Sequence, residues 1–400
     1  MIKPKTLKGF RDFLPKEARK RQYVINILKK VFESYGFEPL ETPSLEYEDV
    51  LLGKYGEEGD KLMYRFEDLG KRRVALRYDQ TVPLARVVAQ YRDKLPMPFK
   101  RYQIQNVWRA ENTQRGRFRE FLQCDADIVG SSSPLSDAEI IMLLLESAKK
   151  LGFKKPQVWI NDRSIIDKLS KDKKVISVLD KLEKIGPDRV ANELRMVGLN
   201  NAKNFLSQLE KSEPSDKLEE IFRVLENNGY KKNENFIFTP SLARGLDYYT
   251  GTIFEMKVAE DVPYLLSIAG GGRYDNLIGI FAGKDIPAVG FSFGFDRLIE
   301  AMEELGLFPK NLNRNSVFVA FSKPDLQEKA LKITAELRYK NINAECYLED
   351  ADLEKQLKYA DKKSIPYSII INGDNIALKN MERRTQENLS LEEILQKLSG

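Results

Sequence analysis

The sequence predicts an α+β domain with an antiparallel sheet, a helical insertion within that domain, and a smaller α/β domain after it. Three observations lead there. Phe99 to Gly130 reads as two strands, FKRYQIQNVWRAE and RFREFLQCDADIVG, around the polar loop NTQRG, which is a long antiparallel hairpin. Residues 154–235 turn Lys-rich and helical, with no strand alternation after QVWI. Past Ser316 strands and helices alternate, the pattern of a mostly parallel sheet covered by helices. A chain of 400 residues exceeds what one core supports. The expected division is 1–153 and 236–305 for the first domain, 154–235 for the insertion, 306–315 for a linker and 316–400 for the last domain.

Taken in order, Pro15 to Tyr35 is expected to be an amphipathic helix. Pro15 suits its first turn, Val24, Leu28, Val31, Phe32 and Tyr35 recur at helical spacing, and Gly36 stands where a C-cap belongs. Pro39 and Pro43 break the next segment, which favours a sheet edge of the kind that meets a second subunit. VALRYDQTVPLARVVAQY opens as a strand and turns helical after Pro83. After the hairpin, Ser136 and Glu139 read as a capping box for a helix from Asp137 to Leu151. Strand character returns at Phe236, and AVGFSFGFDRLIEAMEEL runs from a strand into a helix. GLFPKNLNRNS is a polar linker, and three strands, two helices, a hairpin partner (IALKN) and a terminal helix from Ser390 follow.

Composition narrows the chemistry. The chain has no histidine, which removes the commonest general base, the commonest transition-metal ligand and every Ser-His or Cys-His nucleophile. Cys124 and Cys346 form no CxxC pair, so neither a disulfide framework nor a thiolate zinc site is expected. Metal ligation by protein side chains is not expected at all. The longest apolar runs fall far short of the roughly 20 residues that cross a bilayer, and the N-terminus has no signal-peptide pattern. A cytoplasmic protein without a membrane partner is the expectation. A net charge of +5 permits a nucleic-acid partner without requiring one.

Arg109, Glu111, Arg117, Arg119, Glu120, Asp125 and Asp127 form a dense run of both signs, interleaved with Trp108, Phe118 and Phe121. A half-buried hairpin explains such alternation as its solvent face. Arginine forks bind phosphate oxygens bidentately and an aromatic face stacks on a purine, so a nucleotide site on a sheet explains it too. Gly270 to Gly272 match neither a Walker loop nor GxGxxG. Arg297, at the start of a helix, opposes the macrodipole and calls for an anion, such as a triphosphate, unless it is simply solvated.

Together these segments resemble a family. FKRYQIQNVWRAENTQRGRFREFLQCDADIVG is similar to motif 2 of class II aminoacyl-tRNA synthetases, and AVGFSFGFDRL to their motif 3. ARGLDYYTGTIFE and AGGGRYDNL resemble the two signatures peculiar to histidyl-tRNA synthetases. The resemblance extends over essentially the whole chain, in the expected order. It implies a catalytic domain of the class II type, an anticodon-binding C-terminal domain, a homodimer, and the substrates L-histidine, ATP with Mg²⁺ and tRNA(His). The implied reaction joins histidine to ATP as an adenylate, releases pyrophosphate, and passes the histidyl group to the terminal ribose of the tRNA.

By the same resemblance, Arg109 binds the α-phosphate, Arg117 the β- and γ-phosphates and Glu111 the adenine end. Arg297 holds the γ-phosphate and stacks over adenine opposite Phe121. Arg244 reaches the α-phosphate beside the attacking carboxylate, which makes Arg244 and Arg109 the implied catalytic groups. Asp79, Thr81 and Gln123 match positions that hold the amino and carboxylate groups of histidine. Tyr249 and Asp127 match those that hydrogen-bond its ring, with Tyr248 and Asp247 as supports. Gln114 fits a position that contacts the tRNA acceptor end. The loop AENTQRG lacks the Arg-Pro pair common in bacterial members, and Leu122 stands where many relatives carry an aromatic residue or histidine. Two non-catalytic alternatives, a regulatory paralogue and a tRNA-sensing module, fit less well. The first usually loses the last domain and the ATP-binding arginines, and the second belongs to a kinase that is not present here.

Overall fold

A computed structural model describes residues 2–113, 116–244, 248–258, 267–310, 312 and 316–399. The chain divides into two compact units, Met1–Phe308 and Pro309–Gly400. Among the described residues no helix is long and apolar enough to cross a membrane.

The first unit contains a short edge strand, β1 (Glu38–Pro39), and a small sheet of β2 (Leu45–Tyr47), β3 (Arg65–Glu67) and β4 (Arg73–Leu76). The hairpin strands are β5 (Phe99–Trp108) and β6 (Glu120–Val129). They are followed by β7 (Pro156–Asp162), β8 (Phe236–Phe238), β9 (Thr252–Val258), β10 (Ser267–Arg273) and β11 (Ala288–Gly294). The small sheet has the order β2-β4-β3, and the large one the order β1-β5-β6-β11-β10-β9-β7-β8. Pairing in the large sheet is antiparallel except at its two ends, where β1 joins β5 and β8 joins β7 in parallel. Pro39 lies in the edge strand, where its missing N–H leaves no gap in a central ladder.

One face of the large sheet packs on two helices, Pro15–Ser34 and Pro134–Lys150. Helical spacing aims Val24, Leu28, Val31 and Phe32 of the first helix into the core. There Phe32 meets Tyr102 of β5 and Phe291 of β11 at ring separations of 5.6 and 6.1 Å. Strand alternation then obliges the neighbours Gln103 and Ser292 to face the other way. The register carries this second face across the sheet, from Gln103 to Asp125, Ser292, Gly270, Glu255 and Trp159.

Two expectations need correcting. The helix after the hairpin begins at Pro134, not Asp137, and its cap is Ser133, whose Oγ accepts from the Leu135 N–H. Proline at the first helical position fixes φ there and needs no N–H partner, so it moves the start one turn earlier. Ser136 and Glu139 bond instead to Ser131 and Lys100. Residues 154–235, expected as a mainly helical insertion with strand character only at QVWI, open with β7, which belongs to the large sheet of the first domain, before the helices between Arg163 and Asn227.

The second unit contains β12 (Ser316–Phe321), β13 (Asn343–Cys346), β14 (Tyr367–Asn372), β15 (Asn375–Asn380) and β16 (Thr385–Asn388), in the order β13-β12-β14-β15-β16. Its β13-β12-β14 part is parallel, crossed over by helices Gln327–Tyr339 and Leu353–Lys362, and the rest is a meander. The last helix, Leu391–Ser399, has a capping box in which Ser390 Oγ accepts from the Glu393 N–H and the Glu393 carboxylate accepts from the Ser390 N–H.

Candidate active site

A cavity of about 1000 Å³ lies over the polar face of the large sheet. Arg109, Glu111, Arg117, Phe121, Arg297, Asp79, Thr81, Gln123, Asp127, Arg244, Tyr248 and Tyr249 all line it. Sequence positions from 79 to 297 thus converge on one wall system. Gln114 and Asp247 lie outside the described residues.

The floor is set by strand parity. Gln123, Asp125 and Asp127 alternate along β6 and point into the cavity, although each is more than 90 % buried. The Asp125 and Asp127 carboxyls are therefore not on a solvent face, whereas Arg117 is exposed. Asp127 is paired with Arg101 of β5 at 2.7 Å and accepts a hydrogen bond from the Tyr274 hydroxyl. Asp79 accepts from the Tyr55 hydroxyl at 2.8 Å and from the N–H groups of Thr81 and Val82 at 3.1 Å each, at the start of helix Thr81–Tyr91. Burial raises the pKa of all three carboxyls. For Asp127 and Asp125 the Arg101 guanidinium opposes the rise, and Asp125 is pushed up to about 7. Tyr248 and Tyr249 stand edge to face at 5.0 Å, and burial pushes the Tyr249 phenol up to about 12 against the pull of Arg244. Both phenols are thus neutral hydrogen-bonding groups at neutral pH.

Two glycines of this face make room for charges. A Cβ on Gly290 would overlap the Asp127 carboxylate, and one on Gly270 would stand 2.7 Å from Arg244 Nη1. The Arg244 guanidinium lies over Gly270 and forms an ion pair with Glu255 of β9. Burial opposes its charge, but Glu255, Tyr249 and Asp180 hold its pKa above the ordinary arginine value.

The opposite end of the cavity is cationic and aromatic. Arg109 donates from Nε to the Tyr78 carbonyl at 3.0 Å, and its guanidinium lies 4.4 Å from the Tyr78 ring centroid and 5.2 Å from that of Phe121. Arg117 and Glu111 stand 3.6 Å apart. Arg297 sits in the first turn of helix Phe295–Glu304, 3.5 Å from the Ser267 carbonyl, with no ion-pair partner among the described residues. Burial and the like charge of Arg117 depress its pKa, against the pull of Glu255 and Glu300. Its neighbour Asp296 is instead held by Arg11 at 2.9 Å and Arg21 at 2.7 Å. Three arginines, of which Arg109 and Arg297 have no ion-pair partner among the described residues, converge on a space with an aromatic wall, which is the donor set for a polyphosphate joined to a planar base.

Sequence reasoning missed Tyr55, Arg101, Glu255 and Tyr274. Tyr274 had a signal, because it shares strand parity with Gly270 and Gly272. The arginine before it is not part of the site: Arg273 is buried in an ion pair with Asp137 and donates to the Ser131 carbonyl at 2.9 Å.

Comparison with known proteins gives a consistent picture. A family model described as histidyl-tRNA synthetase matches residues 9–197 and 193–298, and one described as an anticodon binding domain matches residues 316–400. Histidine–tRNA ligase of Christiangramia forsetii is 39% identical, with 97% of both chains covered, and that of Cytophaga hutchinsonii is 38% identical over the whole of both. The crystal structure of histidyl-tRNA synthetase from Nostoc sp. is 31% identical with a TM-score of 0.85, covering 100% of this chain and 99% of that one.

Proposed function

The chain belongs to the histidyl-tRNA synthetase family and acts as a histidine–tRNA ligase of class II, and we propose that it does so with the cavity residues in the following roles. Arg109, Arg117 and Arg297 bind the phosphates of ATP, with adenine between Phe121 and Arg297 and with Glu111 at its edge. Asp79, Thr81 and Gln123 hold the amino and carboxylate groups of L-histidine, and Asp127 and Tyr249 read its imidazole, with Tyr248 supporting Tyr249 in the histidine pocket. The observation that supports this assignment is the convergence of all of them on one cavity, cationic at one end and rich in neutral or anionic hydrogen-bonding groups at the other.

The first step is attack of the histidine carboxylate on the α-phosphorus of ATP. The new bond forms from a carboxylate oxygen, and the bond to the β-phosphate oxygen breaks with departure of pyrophosphate. A carboxylate is already a nucleophile, so the chain supplies position and charge rather than a base. Arg244 and Arg109 stabilise the growing charge on the α-phosphate oxygens. Glu255 holds Arg244 in place before substrate arrives. In the second step the ribose hydroxyl attacks the carbonyl of the adenylate, its proton passes to a phosphate oxygen, and adenosine monophosphate leaves. ATP enters as its Mg²⁺ complex, a substrate rather than a resident cofactor. The arginine-rich wall fits a polyphosphate that carries its own cation, since Glu111 and Glu255 already face Arg117 and Arg244.

We propose further that Gln114 contacts the acceptor end of tRNA(His), that helices Arg163–Asn227 form an insertion in the catalytic domain, and that residues 316–400 bind the anticodon. The chain works as a homodimer in the cytoplasm; Leu45, Tyr47 and Phe66 on the small sheet are each more than 40 % exposed, which supports an interface there.

Exchange of pyrophosphate into ATP, measured with each amino acid and without tRNA, tests the assignment. Exchange with histidine alone is expected. Folded protein that binds histidine or tRNA and exchanges with no amino acid would overturn it in favour of a sensor or regulatory subunit.

A further inference from the structure

Gln123 Nε2 donates to Asp125 Oδ2 at 3.1 Å, on the cavity face of β6. Once ionised, Asp125 has no hydrogen to give, so above the pH at which it titrates this contact fixes the orientation of the amide: the NH₂ group faces Asp125 and Oε1 faces away. Gln123 Oε1 is then a buried acceptor, with no partner among the described residues, in the wall of the cavity. The Gln123 backbone carbonyl is already occupied by Gln80 Nε2 at 3.2 Å, so the segment itself is tied down. A buried amide oxygen with no partner costs stability unless a ligand donor satisfies it. Asp79, held by Tyr55 and two backbone N–H groups, supplies a carboxylate in the same cavity. Acceptors without competing donors suit an ammonium group, which has three hydrogens to place.

We propose that Asp125 is a positioning residue for amino-acid recognition: it turns the Gln123 amide so that Oε1, not Nε2, meets the α-ammonium group of the substrate. This rests on the assignment of the β6 end of the cavity to histidine. An amide turned the other way would aim two N–H groups at a cation and reject it. Asp125 thus gives Gln123 a fixed preference that the amide lacks by itself. An asparagine at 125 offers both a donor and an acceptor and removes that preference without changing side-chain size.

The test uses two competitors of histidine in the exchange reaction, run well above pH 7 so that Asp125 is ionised. Histidinol keeps the ammonium and lacks the carboxylate, whereas imidazolepropionate keeps the carboxylate and lacks the ammonium. In Asp125→Asn the inhibition constant of histidinol is expected to rise about tenfold, the worth of one hydrogen bond to a charged group, while that of imidazolepropionate and the KM for ATP stay within about twofold. In a Gln123→Ala background, Asp125→Asn is expected to add nothing for histidinol. Equal weakening of both competitors, no weakening of either, or an additive effect in the double variant overturns the proposal. If Asp125→Asn does not fold, Asp125→Ser, whose hydroxyl likewise both donates and accepts, takes its place: loss confined to histidinol supports the proposal, and loss shared by both competitors or absent from both overturns it. A wild-type protein that exchanges with no amino acid overturns the functional assignment as well, so the two failures are distinguishable.

Discussion

Asp79, Asp125 and Asp127 lie buried under one cavity, each with its pKa raised by burial, and Arg101 opposes the rise at the latter two. The folded state holds their protons more tightly than the unfolded chain does, so between the ordinary and the raised pKa stability must fall as pH rises. For Asp125 the window runs from the ordinary value of 3.8 to about 7. Its contribution is fully present below that window and lost above it. Groups that behave oppositely in the same range cancel when wild type is compared with Asp125→Asn, which has no titrating carboxyl at that position. Urea unfolding at a series of pH values is expected to show wild type losing stability relative to the variant as pH rises through this window, by at most about 4 kcal/mol. A difference that does not change with pH would show that Asp125 is not the titrating group. The expense of keeping three carboxyls in this place fits the proposed role of this wall, binding an ammonium and an imidazole.

Strands place this chemistry, and their register decides which residues meet. Gly290 and Gly270 both face the cavity, and each leaves the space of a methyl group to a charged neighbour. Gly290→Ala pushes against the Asp127 carboxylate and the Ala126 carbonyl, the latter at 2.7 Å, at an overpacking cost of about 1–3 kcal/mol. It is expected to raise the KM for histidine about tenfold or more and to spare the KM for ATP. Gly270→Ala displaces the Arg244 guanidinium, so its loss is expected mainly in kcat. Exchange kinetics on the two variants check this split, and loss of the same parameter in both would refute it. Much of this element was legible beforehand: the hairpin, the strand running into the helix of Arg297, and the residues of the family motifs. What stayed hidden depends on register. Arg101 and Asp127 are 26 positions apart in sequence and directly opposite in space, and a pattern of alternating charge reads as a wet face until the cover over it is known. β7 was legible as QVWI but not as a member of the large sheet, whose other strands lie far off in the chain. The helix start at Pro134 was a local choice between two serines, decided by the proline between them.

At the scale of the molecule, the two compact units have separate cores. One apolar cluster runs from Val24 to Met302, and two smaller ones lie between Val317 and Ile394. Every cavity residue given a role belongs to the first unit. On the proposed roles, the first chemical step draws all its residues from the first unit, whereas the second step needs a tRNA held in place. The second unit carries 13 Lys+Arg against 14 Asp+Glu from Ser316 onward. Its grip on RNA cannot come from net charge and must come from local pockets that read unstacked bases. Contacts of that kind are worth about 1–3 kcal/mol per base, so losing two or three of them weakens charging of tRNA by a factor on the order of 100 or more. A chain ending at Phe308 is expected to keep histidine-dependent pyrophosphate exchange within a few fold of the full protein, and to lose kcat/KM for tRNA by that factor. Parallel exchange and charging assays on the shortened chain measure both. Equal loss of both activities would mean that the second unit shapes the catalytic cavity itself, and the division of labour between recognition and chemistry would then have to be abandoned.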